Sequence, residues 1–126
     1  MKWVMDHAAY ERMVNHPDEM VGRYLTIVAA KLKILAKAQA GYKTGALRNS
    51  INYRVVNSGG GLVAFVGSDN RVAFMHHEGT RPHIIAARRA QTLRFYSRGR
   101  IVYAKVVRHP GTRPNKYLTD NLRKVI

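Results

Sequence analysis

From residue 17 to about residue 39, apolar side chains recur at three- and four-residue intervals, at Val21, Leu25, Val28, Leu32 and Leu35. That spacing gathers them into one stripe of an amphipathic α-helix. Such a stripe must be covered by another element, so the chain has to build a second layer. The helix start is read at His16-Pro17-Asp18-Glu19. Proline at the first helical position leaves no amide hydrogen unpaired, and the two carboxylates suit the positive end of the helix dipole. Lys31, Lys33 and Lys37 make the later half basic, which is favourable near a helix C-terminus, and Gly41 is expected to end it. Residues 1–16 read as an N-terminal lead-in with a helical turn or two.

Beyond Gly41 the period changes. Leu47 and Ile51 fit one short helical turn. Tyr53, Val55 and Asn57 then alternate with Asn52, Arg54 and Val56 as the two faces of a strand. Ser58-Gly59-Gly60-Gly61 is a hairpin connection to a return strand over 62–67. Asp69 or Asn70 is placed to cap a short helix over 72–78, ending at Gly79. Three β-like pieces follow at 83–86, 92–96 and 100–107, with Ser97-Arg98-Gly99 as a tight turn. Residues 115–125 look helical, with Tyr117, Leu118, Leu122 and Val125 as the packing face. Strands joined without long crossovers pair antiparallel. The expected architecture is therefore α+β. A curved antiparallel β-sheet packs against the long N-terminal amphipathic helix, with a short central helix and a C-terminal helix. Residues 1–126 form a single domain.

A chain of 126 residues is long enough to bury roughly two-thirds of its unfolded surface. Its charge is one-sided, with 22 Lys and Arg against 7 Asp and Glu, a formal +15. Self-repulsion on that scale destabilises an isolated fold. It points to a polyanionic partner, whether DNA, an acidic protein face or a headgroup layer, over a merely solvated surface. No cysteine is present, which excludes disulfides, thiol catalysis and cysteine zinc sites. No apolar run approaches the roughly 20 residues that span a bilayer. Residues 1–6 lack the apolar stretch of a secretory signal, so a soluble protein not exported by that route, and without a membrane partner, is expected.

One tetrapeptide occurs twice: Gly79-Thr80-Arg81-Pro82 and Gly111-Thr112-Arg113-Pro114. Each follows a histidine, in His77-Glu78-Gly79 and His109-Pro110-Gly111. Gly79 and Gly111 permit positive φ, and Pro82 and Pro114 hold the preceding arginine extended, so each copy is a sharp chain reversal. Two readings stand side by side. The copies are plain structural turns, or they are matched loops presenting Arg81 and Arg113 to one partner. Trp3, the single tryptophan, either packs on its own domain or anchors in a neighbouring subunit.

Four segments, in order, resemble a known family. They are Thr44-Gly45-Ala46-Leu47-Arg48-Asn49-Ser50-Ile51; Val66-Gly67-Ser68 with Ala73-Phe74-Met75-His76-His77-Glu78-Gly79-Thr80; Leu93-Arg94-Phe95; and His109-Pro110-Gly111-Thr112 with Tyr117-Leu118. Together they look like the gene-product-ten-like head–tail joining proteins, also called tail-completion or neck proteins, of long-tailed bacteriophages. Phe74 and the two histidines depart from that family's commoner residues. The resemblance covers residues from about 17 to the end. It implies a structural virion protein at the head–tail junction, made in the host cytoplasm. Copies would form a ring, six-fold or twelve-fold, between the portal side and the tail. The neighbouring role of tail terminator is an alternative. No catalytic residue or cofactor is implied.

Other chemistry is less well supported. His76, His77, His83 and His109 flank the repeated turns, but no i, i+4 pair occurs among them, and a metal needs three or four converging ligands. No metal site is expected. The seven carboxylates are too scattered for a metal-dependent nuclease. No nucleophile elbow or phosphate loop is present, so no enzyme is expected. The real rival is non-specific DNA binding. Arg88, Arg89, Arg94, Arg98, Arg100, Lys105 and Arg108 interleave with Phe95, Tyr96 and Tyr103, a mix that suits phosphate contact and stacking. Arg81, Arg88, Arg89 and Arg113 are the residues expected at interfaces or facing DNA, and Gly45, Gly79, Pro82, Gly111 and Pro114 those that shape turns.

Overall fold

The computed structural model describes residues 1–126. Helix α1 (His7–Asn15) begins where Asp6 Oδ1 accepts a hydrogen bond from the amide of Ala9 at 3.0 Å, closing one of the helix's open donors. Helix α2 spans Met20–Gln39. Pro17, Asp18 and Glu19 therefore belong to the corner between the two helices and not to the first helical turn. The reason lies at Gly22, which is buried beneath that corner; a Cβ there would stand 2.0 Å from the Pro17 carbonyl oxygen. Of the expected stripe only Leu32 is buried, with Val21, Leu25, Val28 and Leu35 half-buried; the innermost face of α2 is Gly22, Ala29, Leu32 and Ala36, where small residues allow close packing.

Helix α3 (Ala46–Ser50) carries Leu47 inward, and Ile51 follows fully buried. Strands β1 (Asn52–Asn57) and β2 (Leu62–Gly67) form an antiparallel hairpin in the register Asn52↔Gly67 to Asn57↔Leu62. This hairpin packs on α2. Asn70 Oδ1 accepts from the Val72 amide at 3.0 Å and starts the turn into α4 (Ala73–Glu78). Next come β3 (His83–Ala86), β4 (Leu93–Ser97), β5 (Arg100–Ala104) and β6 (Val106–His109). Helix α5 (Thr119–Val125) packs on α2.

The single curved sheet expected from the sequence is not formed. The six strands make three separate two-stranded sheets, β1–β2, β3–β6 and β4–β5. The turn and α4 after β2 carry the chain away, so the open edge of β2 meets no further strand. The other four strands are nested in one excursion. Its base pairs His83↔His109 to Ala86↔Val106, and its tip pairs Leu93↔Ala104 to Ser97↔Arg100. Residues 87–92 on the outgoing side lie opposite Lys105 alone on the return, an oversized bulge that breaks the ladder in two. Arg98 (φ 49°) and Gly99 (φ 76°) close the tip with the two left-handed residues that a tight hairpin turn requires. We call residues 81–109 the arm.

The core is small. Ala36, Ala40, Leu47, Ile51, Ala73 and Tyr117 form it, with Leu118 against them. Only 11 of 126 residues are buried, none of them in the arm and none in α1. The burial expected for a chain of this length is thus not reached within one copy. Of the packing face expected around α5, Tyr117 and Leu118 meet the core and Val125 is half-buried, but Leu122 is exposed and Asn121 lies inside instead, at 2% exposure. No helix is long and apolar enough to cross a membrane.

Candidate functional site

The two Gly-Thr-Arg-Pro copies fold onto each other. Thr80 and Thr112 form an isolated antiparallel bridge. The Thr80 amide donates to the Thr112 carbonyl at 3.0 Å, and the Thr112 amide donates to the Thr80 carbonyl at 3.1 Å. Their hydroxyls meet at 3.0 Å. Each glycine lies under the other copy's threonine. A Cβ on Gly79 (φ 75°) would approach the Thr112 carbonyl oxygen to 2.6 Å, and one on Gly111 (φ 86°) would approach that of Thr80 to 2.3 Å. Pro114 packs against Gly79 and Pro82 against Gly111. The repeat is a reciprocal clasp, and it pins both ends of the arm together. Arg81 and Arg113 each follow a bridged threonine and are exposed.

A polar hub fixes the clasp to the body. His76 Nε2 accepts from the Gly41 amide at 3.0 Å and lies 3.2 Å from Asn115 Nδ2. Gly41 ends α2 by close approach, since a Cβ there would stand 2.7 Å from the His76 ring. Asn115 also donates to the Gln39 carbonyl at 3.0 Å, and its own amide donates to the His76 carbonyl at 3.1 Å. Asn121 donates to Gln39 Oε1 at 2.7 Å and to the Tyr117 carbonyl at 2.8 Å. Sequence reasoning missed Gln39, Asn115 and Asn121. Their only signal was polarity at otherwise apolar helix spacing.

Glu78 pairs with Lys116 and lies 2.6 Å from His77 Nδ1. The Lys116 ammonium, then the His77 ring, hold its carboxyl below the usual range. Burial pushes the Tyr117 phenol up, as expected when water is denied to the charged form. His77 meets the Tyr117 ring edge-on at 5.3 Å, and the His83 and His109 rings stack at 5.0 Å. His76, His83 and His109 border one open hollow of about 630 Å³ beside the clasp. No three His, Asp or Glu side chains converge on a common metal position.

Beyond its own strand pairs, the arm makes no extensive packing contact with any other element. It carries eight Lys and Arg side chains, and no carboxylate occurs between Glu78 and Asp120. Arg88 and Arg89 sit exposed in its bulge. The register places Arg94, Tyr96, Ile101 and Tyr103 on one face of the tip, all exposed, Tyr96 at 74% and Tyr103 at 63%. Trp3 is exposed at 93%, so it does not pack on its own domain. Gly45 (φ 81°) precedes α3 against the ring of Tyr42.

No family model matches the chain, and no curated protein or solved structure shows significant similarity to it.

Proposed function

We propose that this chain is a non-enzymatic structural subunit of the neck ring of a long-tailed bacteriophage. It would assemble in the host cytoplasm and join the head side of the particle to the tail. The observation that carries the reading is unspent surface. A compact monomer of 14.3 kDa exposes about 6,800 Å². This chain exposes 10417 Å². The excess of roughly 3,600 Å² exceeds the about 1,600 Å² that one subunit contributes to two neighbours in standard interfaces. The arm buries no residue and its strands each keep an open edge, and such a ribbon is marginal in water by itself. The ordered resemblance from Thr44 to Leu118 supplies the particular setting. The clasp sets Arg81 and Arg113, both exposed, beside the Thr80–Thr112 bridge, and on this reading they face adjoining rings or the DNA channel.

The test is Arg113→Glu in the intact virus. The isolated chain stays folded because Arg113 is exposed. Heads and tails then accumulate unjoined, seen by electron microscopy of lysates. Normal infectious particles from that variant would overturn the assignment.

The acid-free arm favours a second reading, a non-specific duplex-binding module. It requires retention of duplex DNA in gel shifts at physiological salt with a steep salt slope. Binding that vanishes at that salt favours the ring.

A further inference from the structure

Two parts of the molecule bury nothing, and their chemistry is opposite. Residues 1–19 hold four of the seven carboxylates, Asp6, Glu11, Asp18 and Glu19, against Lys2 and Arg12. They also expose Trp3, Val4, Met5 and Tyr10. The arm has eight cations and no carboxylate, and exposes Tyr96, Ile101 and Tyr103 beside Arg94. An acidic apolar surface thus faces outward in one place, and a basic apolar surface in another.

Within one chain the two do not pack on each other, and their roots lie at opposite ends of α2. α1 joins the N-terminal end of α2 through the Pro17 corner. The arm is rooted at the Thr80–Thr112 bridge, beside Asn115, which binds Gln39 at the C-terminal end of α2. The 20 residues of α2 hold these roots about 30 Å apart. We infer that the acid-rich N-terminal segment of one copy, residues 1–19, docks on the outer face of the arm of the next copy, through Arg94, Tyr96, Ile101 and Tyr103. Different surfaces at opposite ends make a head-to-tail contact, and such contacts repeat until they close a ring. Two arms repel each other, so the same charges exclude arm-to-arm pairing. The inference rests on the ring reading and names its interface.

The chain has no cysteine, so single thiols report cleanly. Full-length Tyr10→Cys and Tyr103→Cys chains are mixed at low salt and oxidised. In parallel, the unmodified chain is examined by sedimentation velocity, negative-stain imaging and duplex gel shift. Unlike chains cross-link about tenfold more than like chains, and the excess disappears at about 0.5 M salt. Glu11→Lys in the first chain or Arg94→Glu in the second lowers the yield, and the two together restore it. Rings of unmodified chain without unlike cross-links overturn this docking and leave the ring reading intact. A chain that stays monomeric and uncross-linked at every concentration overturns both. Loss of duplex binding in Arg94→Glu with unchanged sedimentation gives the arm to nucleic acid and overturns the docking.

Discussion

Strands β2 and β4 are alike in that exposure alternates along each, yet they end in different physical circumstances. β2 lies on α2, and its hairpin shares the layer above the core. β4 pairs only with β5, and the ribbon they form has water on both sides. Leu93, Phe95, Val102 and Ala104 shield one another on one face of that ribbon without any of them becoming buried. Alternation therefore declares a strand with a preferred face. It does not declare what covers that face. In the body the cover is the chain's own helix; in the arm it has to come from elsewhere.

The contrast predicts unequal responses to substitution. Tyr117, 1% exposed in a core of six residues, is the most sensitive position. Tyr117→Ala costs about 3–5 kcal/mol, and the body unfolds or nearly so in urea titrations. A loss below 1 kcal/mol would mean that the core lies elsewhere. Gly111→Ala comes next. The added methyl meets the Thr80 carbonyl and the φ of 86° is unfavourable for alanine, so about 1–3 kcal/mol is lost. Hydrogen exchange at Thr80 and Thr112 rises sharply while α2 amides keep their protection. Equal loosening of α2 would show that clasp and body are one cooperative unit.

Acid has a smaller effect. The folded Glu78 carboxyl lies below its ordinary value of 4.5, so its pairing with Lys116 and His77 adds stability above that value. That contribution fades as pH falls through the lower, folded value. Urea titrations from about pH 7 to about pH 3 show a steeper decline for the natural chain than for Glu78→Gln, and identical declines would remove Glu78 from the account. The smallest effect is expected in the arm. Phe95→Ala shifts the unfolding of the isolated chain by less than about 1 kcal/mol, because only its partners within the two-stranded ribbon shield it and none of them is buried. A loss as large as that of Tyr117→Ala would abolish the distinction between the two regions.

Much of the local structure was legible in advance. The stripe from Val21 to Leu35, the hairpin across Ser58–Gly61 and the turn at Arg98-Gly99 follow from spacing and from residues that tolerate particular backbone angles. Gly79 and Gly111 were legible as reversals, but not as partners. Bringing them together depends on the chain returning to the same place after thirty-two positions. The hub of Gln39, Asn115, His76 and Asn121 was not legible, because each group is satisfied by residues from a distant segment. Its members look like ordinary surface polar residues until those segments meet.

The sequence alone determined where this chain is helical, where it alternates, where it must turn and how its charge is divided, since those properties act over a few residues. Only the tertiary structure decided that the strands would remain as three separate pairs, that the repeated tetrapeptide would clasp itself and that the basic segment would stand away from the core. The physical reason is that layer formation depends on which edges and faces come within reach of each other. The turn and α4 after β2, and the bulge opposite Lys105, put those edges out of reach.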